Sequence, residues 1–450
     1  MLQVAVIGSG PAGVYAAAAL TKGDARVDVL DRLPCPFGLV RYGVAPDHPK
    51  IKSISSTLKQ MLEHPAVRFL GNVEVGTQIT VEQLHRYYDA IIVTSGAAID
   101  RHLGIPGEEL PGVASASDFV AWYCGHPDTA IDRFTLDARS VAVVGAGNVA
   151  IDVTRILARS ADDLRQTDVP ARVLRVLDSS LVEDIYLLAR RGPVQAKFTP
   201  KELRELGDLT NADVVVDPRE LELDDAGQRR LATEPAMRRN LEVLRSWAER
   251  PLAGHPRRIH LRFRLRPVAV LGDGVTAGLR LERTKIDENG SVTGTGSTYD
   301  LPVQLVLRSV GYRGLAVPGL PFDQDAGVIP NAAGRVLRAG KPVVGEYVAG
   351  WIKRGPTGVI GTNKHDANET VAALFADAPL LQAAPVRAPD GILDFLAEQG
   401  IEVVNWQGWC AIERAEAELG RVQGRSQVKI TEWAALLRAA ADGVPTGSGM

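Results

Sequence analysis

Val4-Ala5-Val6-Ile7-Gly8-Ser9-Gly10-Pro11-Ala12-Gly13 is the stretch that decides the fold of this chain. Its apolar run is long enough for a buried parallel strand, the glycines make a tight turn, and the Ala-rich stretch that follows is helical in character. In such a turn the first Gly permits the bend and the second lets a pyrophosphate approach the backbone. The third small residue lets the helix pack on the strand, and the helix N-terminus holds the anion. Val141-Ala142-Val143-Val144-Gly145-Ala146-Gly147-Asn148-Val149-Ala150 repeats the pattern. One such turn is a weak signal, because glycine turns are common. Two of them, each between a strand and a helix, imply two dinucleotides on one chain, one carrying a flavin and the other delivering hydride.

Around these turns the chain reads as an α/β protein. Residues 2–7 form a strand, 11–22 a helix, and 26–30 a second strand ending at Asp31. An acidic residue at that distance from the glycines is placed to bond ribose hydroxyls, the bland alternative being a solvated strand-end aspartate. Residues 34–49 are too rich in Pro and Gly for a regular helix and mark an ordered loop. Val67–Val75 reads as a strand, and Tyr88–Ala97 as a buried strand closing on a small-residue turn at Gly96. Leu103–Asp118, with its Pro-Gly pairs, reads as a linker. The second unit opens near Val141 with a helix from Val149 to about Ala158, and its strand Ile185–Ala189 ends at Arg190-Arg191-Gly192. Residues 212–300, with turns at Gly272-Asp273-Gly274 and Glu288-Asn289-Gly290, suggest antiparallel hairpins. Leu305–Tyr312 looks like a strand returning to the first domain, and Glu346–Trp351 like another, with a helix from about Asp366. Residues 376–450 hold short helical patterns and a Gly/Ser tail, with no chemistry of their own.

Composition narrows the function classes. At 450 residues the chain has room for two or three domains, and its 45% apolar and 23% charged residues are those of a globular protein. A formal charge of −3 gives no support to nucleic-acid binding. Cys35, Cys124 and Cys410 are widely spaced and make no Cys-x-x-Cys, which argues against a dithiol-based disulfide reductase and against a metal site. No apolar run reaches about 18 residues, so no transmembrane segment is expected. The first strand begins almost at Met1, leaving no room for a targeting peptide, so the expected location is cytoplasmic.

The charge at the second strand end gives a preference between nucleotides. An acidic residue there favours NAD and repels a phosphate, whereas Arg190-Arg191 offers two permanent cations to the 2′-phosphate of NADP. The bland reading is a solvated basic turn. Hydride transfer to a flavin needs no metal and no covalent nucleophile, which fits a chain without an evident triad or ligand cluster. A proton still has to move, and His48 and Glu205 are the candidates for that relay, although a lone His is more often structural.

Pro36-Phe37-Gly38-Leu39-Val40-Arg41, Gly43–Pro49, Gly145-x-Gly-Asn-Val-Ala, Arg190-Arg191-Gly192-Pro193 and Gly350–Ile360 are more specific than a general dinucleotide turn. On these motifs, over roughly residues 3–370, the chain resembles the adrenodoxin-reductase-like, NADPH-dependent ferredoxin reductases. The resemblance implies two Rossmann-like dinucleotide-binding domains of glutathione-reductase-like α/β fold, the NADP domain inserted in the FAD domain. The expected bounds are residues 1–104 and 310–375 for FAD, 105–309 for NADP, and 376–450 for a C-terminal extension packed on the FAD domain.

The resemblance also implies one FAD, one NADP, and ferredoxin or another small acidic iron–sulfur protein as partner. Residue by residue, it puts Gly8, Gly10, Ala12 and Gly13 on the FAD pyrophosphate and Asp31 on the adenosine ribose. Gly38, Leu39, Val73 and Gly96 would line the rest of the flavin site, with Trp351, Gly358, Val359 and Ile360 around the isoalloxazine. Gly145, Gly147, Asn148 and Val149 would cradle the NADP pyrophosphate, Arg190 and Arg191 would grip its 2′-phosphate, and Glu202 would sit near the nicotinamide. The family usually has Glu where this chain has the shorter Asp31.

An acidic partner would meet positive charge, and Lys197, Lys201, Arg204, Arg238-Arg239, Arg257-Arg258, Arg262 and Arg264 are the segments that could supply it. The rival readings are a flavin-dependent reductase or monooxygenase, a reductive subunit of a larger complex, and, from another class, a non-catalytic dinucleotide sensor. The Pro-rich loop and the Trp351 segment favour the ferredoxin reductases.

Overall fold

The computed structural model describes residues 1–223, 225–287 and 291–442. The expected turn at Glu288-Asn289-Gly290 and the Gly/Ser tail from residue 443 onward lie outside the described residues. The chain divides into two compact units, Met1–Ile99 with Gly311–Met450, and Asp100–Val310. Among the described residues, no helix is long and apolar enough to cross a membrane.

The first unit is built on a seven-stranded sheet. Its order is Asn331–Ala332, Arg335–Arg338, Lys341–Val348, Ala90–Val93, Leu2–Ile7, Ala25–Asp31, Val67–Gly71. The pairings from Lys341–Val348 to Val67–Gly71 are all parallel. Val4, Ala5 and Val6 are fully buried, because a central parallel strand is covered on both faces. The helix Pro11–Leu20 takes Pro at its first turn, where no amide hydrogen is missed. It is small-residue-rich and packs against the helix Thr362–Asp377 on one side and Ile54–Leu62 on another.

Two parts of this unit differ from expectation. The Pro-rich loop contains one helical turn, Leu39–Tyr42, closed by amides of Arg41 and Tyr42 on the Gly38 carbonyl. The Val67 strand stops at Gly71, whose amide and carbonyl then bond Val404 at the sheet edge. The C-terminal stretch forms the helices Gly391–Glu398, Trp406–Val422 and Trp433–Ala441. Buried Asp89 ties its start to the first strand, accepting from the amides of Gln3 and Ala384 and from Arg387.

The second unit is a six-stranded sheet with every pairing parallel, in the order Val113–Ser115, Leu305–Arg308, Ser140–Val144, Asp184–Leu188, Arg257–Arg262, Ala212–Val216. Leu305–Arg308 therefore belongs to this sheet and does not return to the first. An apolar run reports a buried strand but not which sheet receives it. The stretch read as a linker likewise holds the edge strand Val113–Ser115 and the start of the helix Ala116–Tyr123. Between residues 212 and 300, Ala212–Val216 joins the parallel sheet and the helices Asp225–Thr233 and Pro235–Glu249 follow. Among the described residues of this stretch, Leu265–Leu271, Gly278–Ile286 and Val292–Leu301 are the antiparallel strands, the first two joined through the Gly272–Gly274 turn.

Candidate functional site

The two glycine turns have the same geometry. Gly8 has a φ of +108°, and a Cβ there would lie 2.8 Å from the Thr94 carbonyl oxygen. A Cβ on Gly13 would lie 1.9 Å from the Gly8 carbonyl oxygen. Gly10 differs: nothing lies within 4 Å of where its Cβ would be. The first and third glycines are thus required by the protein's own backbone, while the second keeps clear the space in front of the helix N-terminus. A pyrophosphate fits that cradle, met by amides and the positive end of the helix. Ala12 sits against Gly350, where a Cβ would come within 2.6 Å of the alanine methyl.

In the second unit, a Cβ on Gly145 (φ +146°) would lie 2.2 Å from the Ser309 carbonyl oxygen, and Gly147 again has nothing within 4 Å. The helix Asn148–Ala158 starts directly after it, with Val149 packed on the core behind. Asn148 Oδ1 accepts from the Thr199 amide at 2.9 Å, which fixes the helix Pro200–Gly207 to the turn.

The residues at the ends of the second strands separate the two turns. Asp31 Oδ2 accepts from Ser9 N at 2.8 Å and Ser9 Oγ at 2.6 Å, and Oδ1 from Leu33 N at 2.9 Å. Burial pushes its pKa up, opposed by those hydrogen bonds. The carboxylate first locks the turn, and its remaining lone pairs are what ribose hydroxyls can use. Arg190 and Arg191 contrast with it. Their backbone carbonyls are held by Thr284 Oγ1 and the Arg264 amide. No carboxylate among the described residues pairs with either guanidinium, and Arg191 Nε is buried without a hydrogen-bond partner. Two uncompensated cations at this position fit a 2′-phosphate.

The segments expected around the flavin carry strained backbone and exposed apolar side chains. Phe37 has a φ of +81°, a conformation that costs a bulky residue about 1–3 kcal/mol. Beside it Leu39 is 51% exposed, and in the later segment Val359 is 68% exposed, both large apolar side chains left at the surface. Trp351 stacks on Tyr312 at 6.3 Å and donates from Nε1 to the Thr357 carbonyl. Gly358 (φ +83°) would meet Thr362 with any Cβ, and Ile360 packs partly on the core. Gly96 (φ +78°) has open space. Val73 has its side chain in the core, 1% exposed, and its amide donates to the Asp31 carbonyl, which leaves its own carbonyl for a cofactor contact.

Two anchors escaped the sequence reading. Asp366 accepts from the Gly350 amide and pairs with Lys353 at 2.8 Å, fixing the Gly350–Asn363 segment. Arg41, inside the Pro-rich loop, pairs with buried Glu416. Neither contact is between sequence neighbours, so no local pattern announces it. Cys35 lies beside Arg41, and burial pushes its thiol up to about 11, so it stays neutral near pH 7. All three cysteines are free.

The two relay candidates have different settings. His48 caps the turn Pro49–Lys52, its carbonyl accepting from the Ile51 and Lys52 amides. Glu205 Oε2 lies 3.2 Å from Nη1 of fully buried Arg155, which also pairs with Asp152 at 2.8 Å. A relay group would have to release that buried cation, so the geometry gives Glu205 the work of holding two helices together. Glu202 has a buried Oε2 without a hydrogen-bond partner, which suits a nicotinamide carboxamide donor.

The expected basic docking segments are largely engaged inside the unit. Arg257 bonds the carbonyls of Ala158, Arg159 and Val182, Arg258 pairs with Asp184, Arg262 with Glu220, and Arg264 bonds the Glu220 and Glu222 carbonyls. Lys197, Lys201 and Arg204 are exposed.

Residues 2–205 match the family model for pyridine nucleotide-disulphide oxidoreductases. The chain is 44% identical to the NADPH-ferredoxin reductase FprA of Mycobacterium tuberculosis, over 97% of this chain and 98% of that protein. It is 37% identical to the mitochondrial NADPH:adrenodoxin oxidoreductase of Arabidopsis thaliana, over 98% and 96%. The solved structure of M. tuberculosis FprA in complex with NADPH superposes with a TM-score of 0.93 at 42% identity, covering 98% of this chain and 99% of that one.

The glycine geometry gives a separable prediction. Gly10→Val loses the bound dinucleotide, and with both proteins stripped of it, its thermal unfolding stays close to the parent's, since only ligand space is filled. Gly8→Ala loses roughly 1–3 kcal/mol of stability in denaturant unfolding, because it strains the backbone against Thr94. Equal destabilisation by the two, with nucleotide retained in Gly10→Val, contradicts the assignment.

Proposed function

The chain belongs to the adrenodoxin-reductase-like, NADPH-dependent ferredoxin reductases, and from that premise we propose how its residues divide the work. The protein is an FAD-dependent oxidoreductase that moves electrons from NADPH to an iron–sulfur partner of ferredoxin type. FAD, when bound, accepts hydride from the nicotinamide and passes electrons on singly. The observation that carries the division of labour is the unequal charge behind two equal turns. Gly8–Gly13 and Asp31 hold the FAD pyrophosphate and ribose, with Gly38, Leu39, Gly96, Trp351 and Gly358–Ile360 shaping the flavin side. Gly145–Val149 holds the NADP pyrophosphate, Arg190 and Arg191 its 2′-phosphate, and Glu202 orients the nicotinamide end.

His48 is the relay candidate retained, because Glu205 is committed to the buried Arg155 cation. An imidazole can both take up and release the proton that the electrons leave behind. The partner is a small acidic iron–sulfur protein. The exposed cations Lys197, Lys201, Arg204, Arg238 and Arg239 are charge available to it in the second unit.

Replacing both Arg190 and Arg191 by Ala lowers the preference for NADPH over NADH in kcat/KM by roughly a hundredfold or more, as expected for losing two charge-assisted contacts. An unchanged preference refutes the 2′-phosphate assignment. For His48→Gln, rapid-mixing kinetics should give slower flavin turnover and an altered pH profile, because the relay group is gone. Parent-like rate and profile would remove His48 from the relay. Ferredoxin reduction should slow as ionic strength rises, while ferricyanide reduction responds far less. A salt-independent ferredoxin rate argues for a neutral or apolar docking face.

A further inference from the structure

The Pro-rich loop is gripped from the C-terminal stretch, where the sequence shows no chemistry. The helix Trp406–Val422 presents Trp409 and Glu416, seven residues apart and so on one face. Trp409 meets the Phe37 ring edge-on at 5.9 Å. The Glu416 carboxylate is fully buried and saturated. Its Oε1 accepts from Arg41 Nη2 at 2.5 Å and the Ile430 amide at 2.9 Å, and its Oε2 from Arg41 Nη1 at 3.0 Å and Gln427 Nε2 at 2.7 Å. The Arg41 carbonyl in turn accepts from buried Lys429 at 2.7 Å, and the Arg41 guanidinium lies over the Trp409 ring at 5.1 Å.

These contacts bracket one short piece of backbone. Phe37 (φ +81°) and Gly38 (φ +47°) both stand in the left-handed half of conformational space, and Phe37 donates its amide to the Ser9 carbonyl. Gly38 stands so near the first glycine turn that a Cβ on it would be 3.1 Å from the Gly10 Cα. A bulky residue holds such a conformation only where its surroundings over-determine it. Here the surroundings are Trp409 on one side of Gly38-Leu39 and Arg41–Glu416 on the other. A bidentate guanidinium–carboxylate pair fixes direction as well as distance.

We propose that Glu416 is a positioning residue for the flavin, acting through Arg41 to hold the Phe37–Leu39 turn against the first glycine turn. It touches neither cofactor nor substrate. The inference rests on the reading that this turn faces FAD.

The test uses the full-length holoenzyme carrying Glu416→Gln, which keeps shape and removes the charge. Leu39→Ser, outside the buried cluster, is its control. The expected result for Glu416→Gln is FAD dissociation about tenfold faster, displaced visible flavin bands, and a KM for NADPH within about twofold of the parent, as for a small misplacement at one ligand only. Because Glu416→Gln leaves the Arg41 charge without its counter-ion, it can fail to fold. In that case Arg41→Met with Glu416→Leu, which buries no charge, is measured in its place. Parent-like FAD dissociation and spectrum in the folded variant overturn the proposal. Failure of both to fold also overturns it, assigning the pair to stability alone. If Leu39→Ser leaves FAD dissociation and the spectrum unchanged, the reading that the turn faces FAD is what fails. If Leu39→Ser changes them and the Glu416 variant does not, the positioning role is what fails.

Discussion

Both units depend on one steric constraint. At the end of each central strand, the backbone passes the neighbouring strand's carbonyl so closely that no side chain fits. The contacts are Gly8 against Thr94 and Gly145 against Ser309, where a Cβ would lie 2.8 Å and 2.2 Å from the carbonyl oxygen. That approach turns the chain sharply enough to start a helix at once, and it aims the helix N-terminus at the space beside Gly10 and Gly147. Sheet order, helix placement and the anion cradle follow from it.

What distinguishes the two cradles is electrostatic. Behind the first stands a carboxylate already bonded to Ser9 and Leu33, a neutral-to-negative setting that suits ribose hydroxyls and resists a second phosphate. Behind the second stand two arginines without a carboxylate partner among the described residues. On the strand beside them, Arg258 and Arg262 are by contrast neutralised, by Asp184 and Glu220. Uncompensated charge at the strand end where a dinucleotide turn receives the adenosine ribose is a functional signal rather than a compositional one.

The glycine turns, Asp31 and Arg190-Arg191 were legible in the sequence because their chemistry is local. A bend, a helix start and a strand end lie within a few residues of one another. Leu305–Arg308 was not assigned to its sheet, since a buried strand looks the same whichever sheet receives it. The docking arginines were over-read for a related reason: the carboxylates that neutralise them come from other strands and loops. Asp366 and Glu416 were missed altogether. Each acts on residues reached only through the tertiary fold, Glu416 on a loop near the other end of the chain.

The account claims that two equal turns hold two different nucleotides, and equilibrium binding tests this most directly. The holoenzyme should release one FAD per chain on denaturation. While holding that FAD, it should bind one NADP+, in a titration where 2′,5′-ADP competes and 5′-ADP does not. Displacement of FAD by NADP+, or equal competition by the two adenosine diphosphates, would contradict the assignment of the second turn and of Arg190-Arg191.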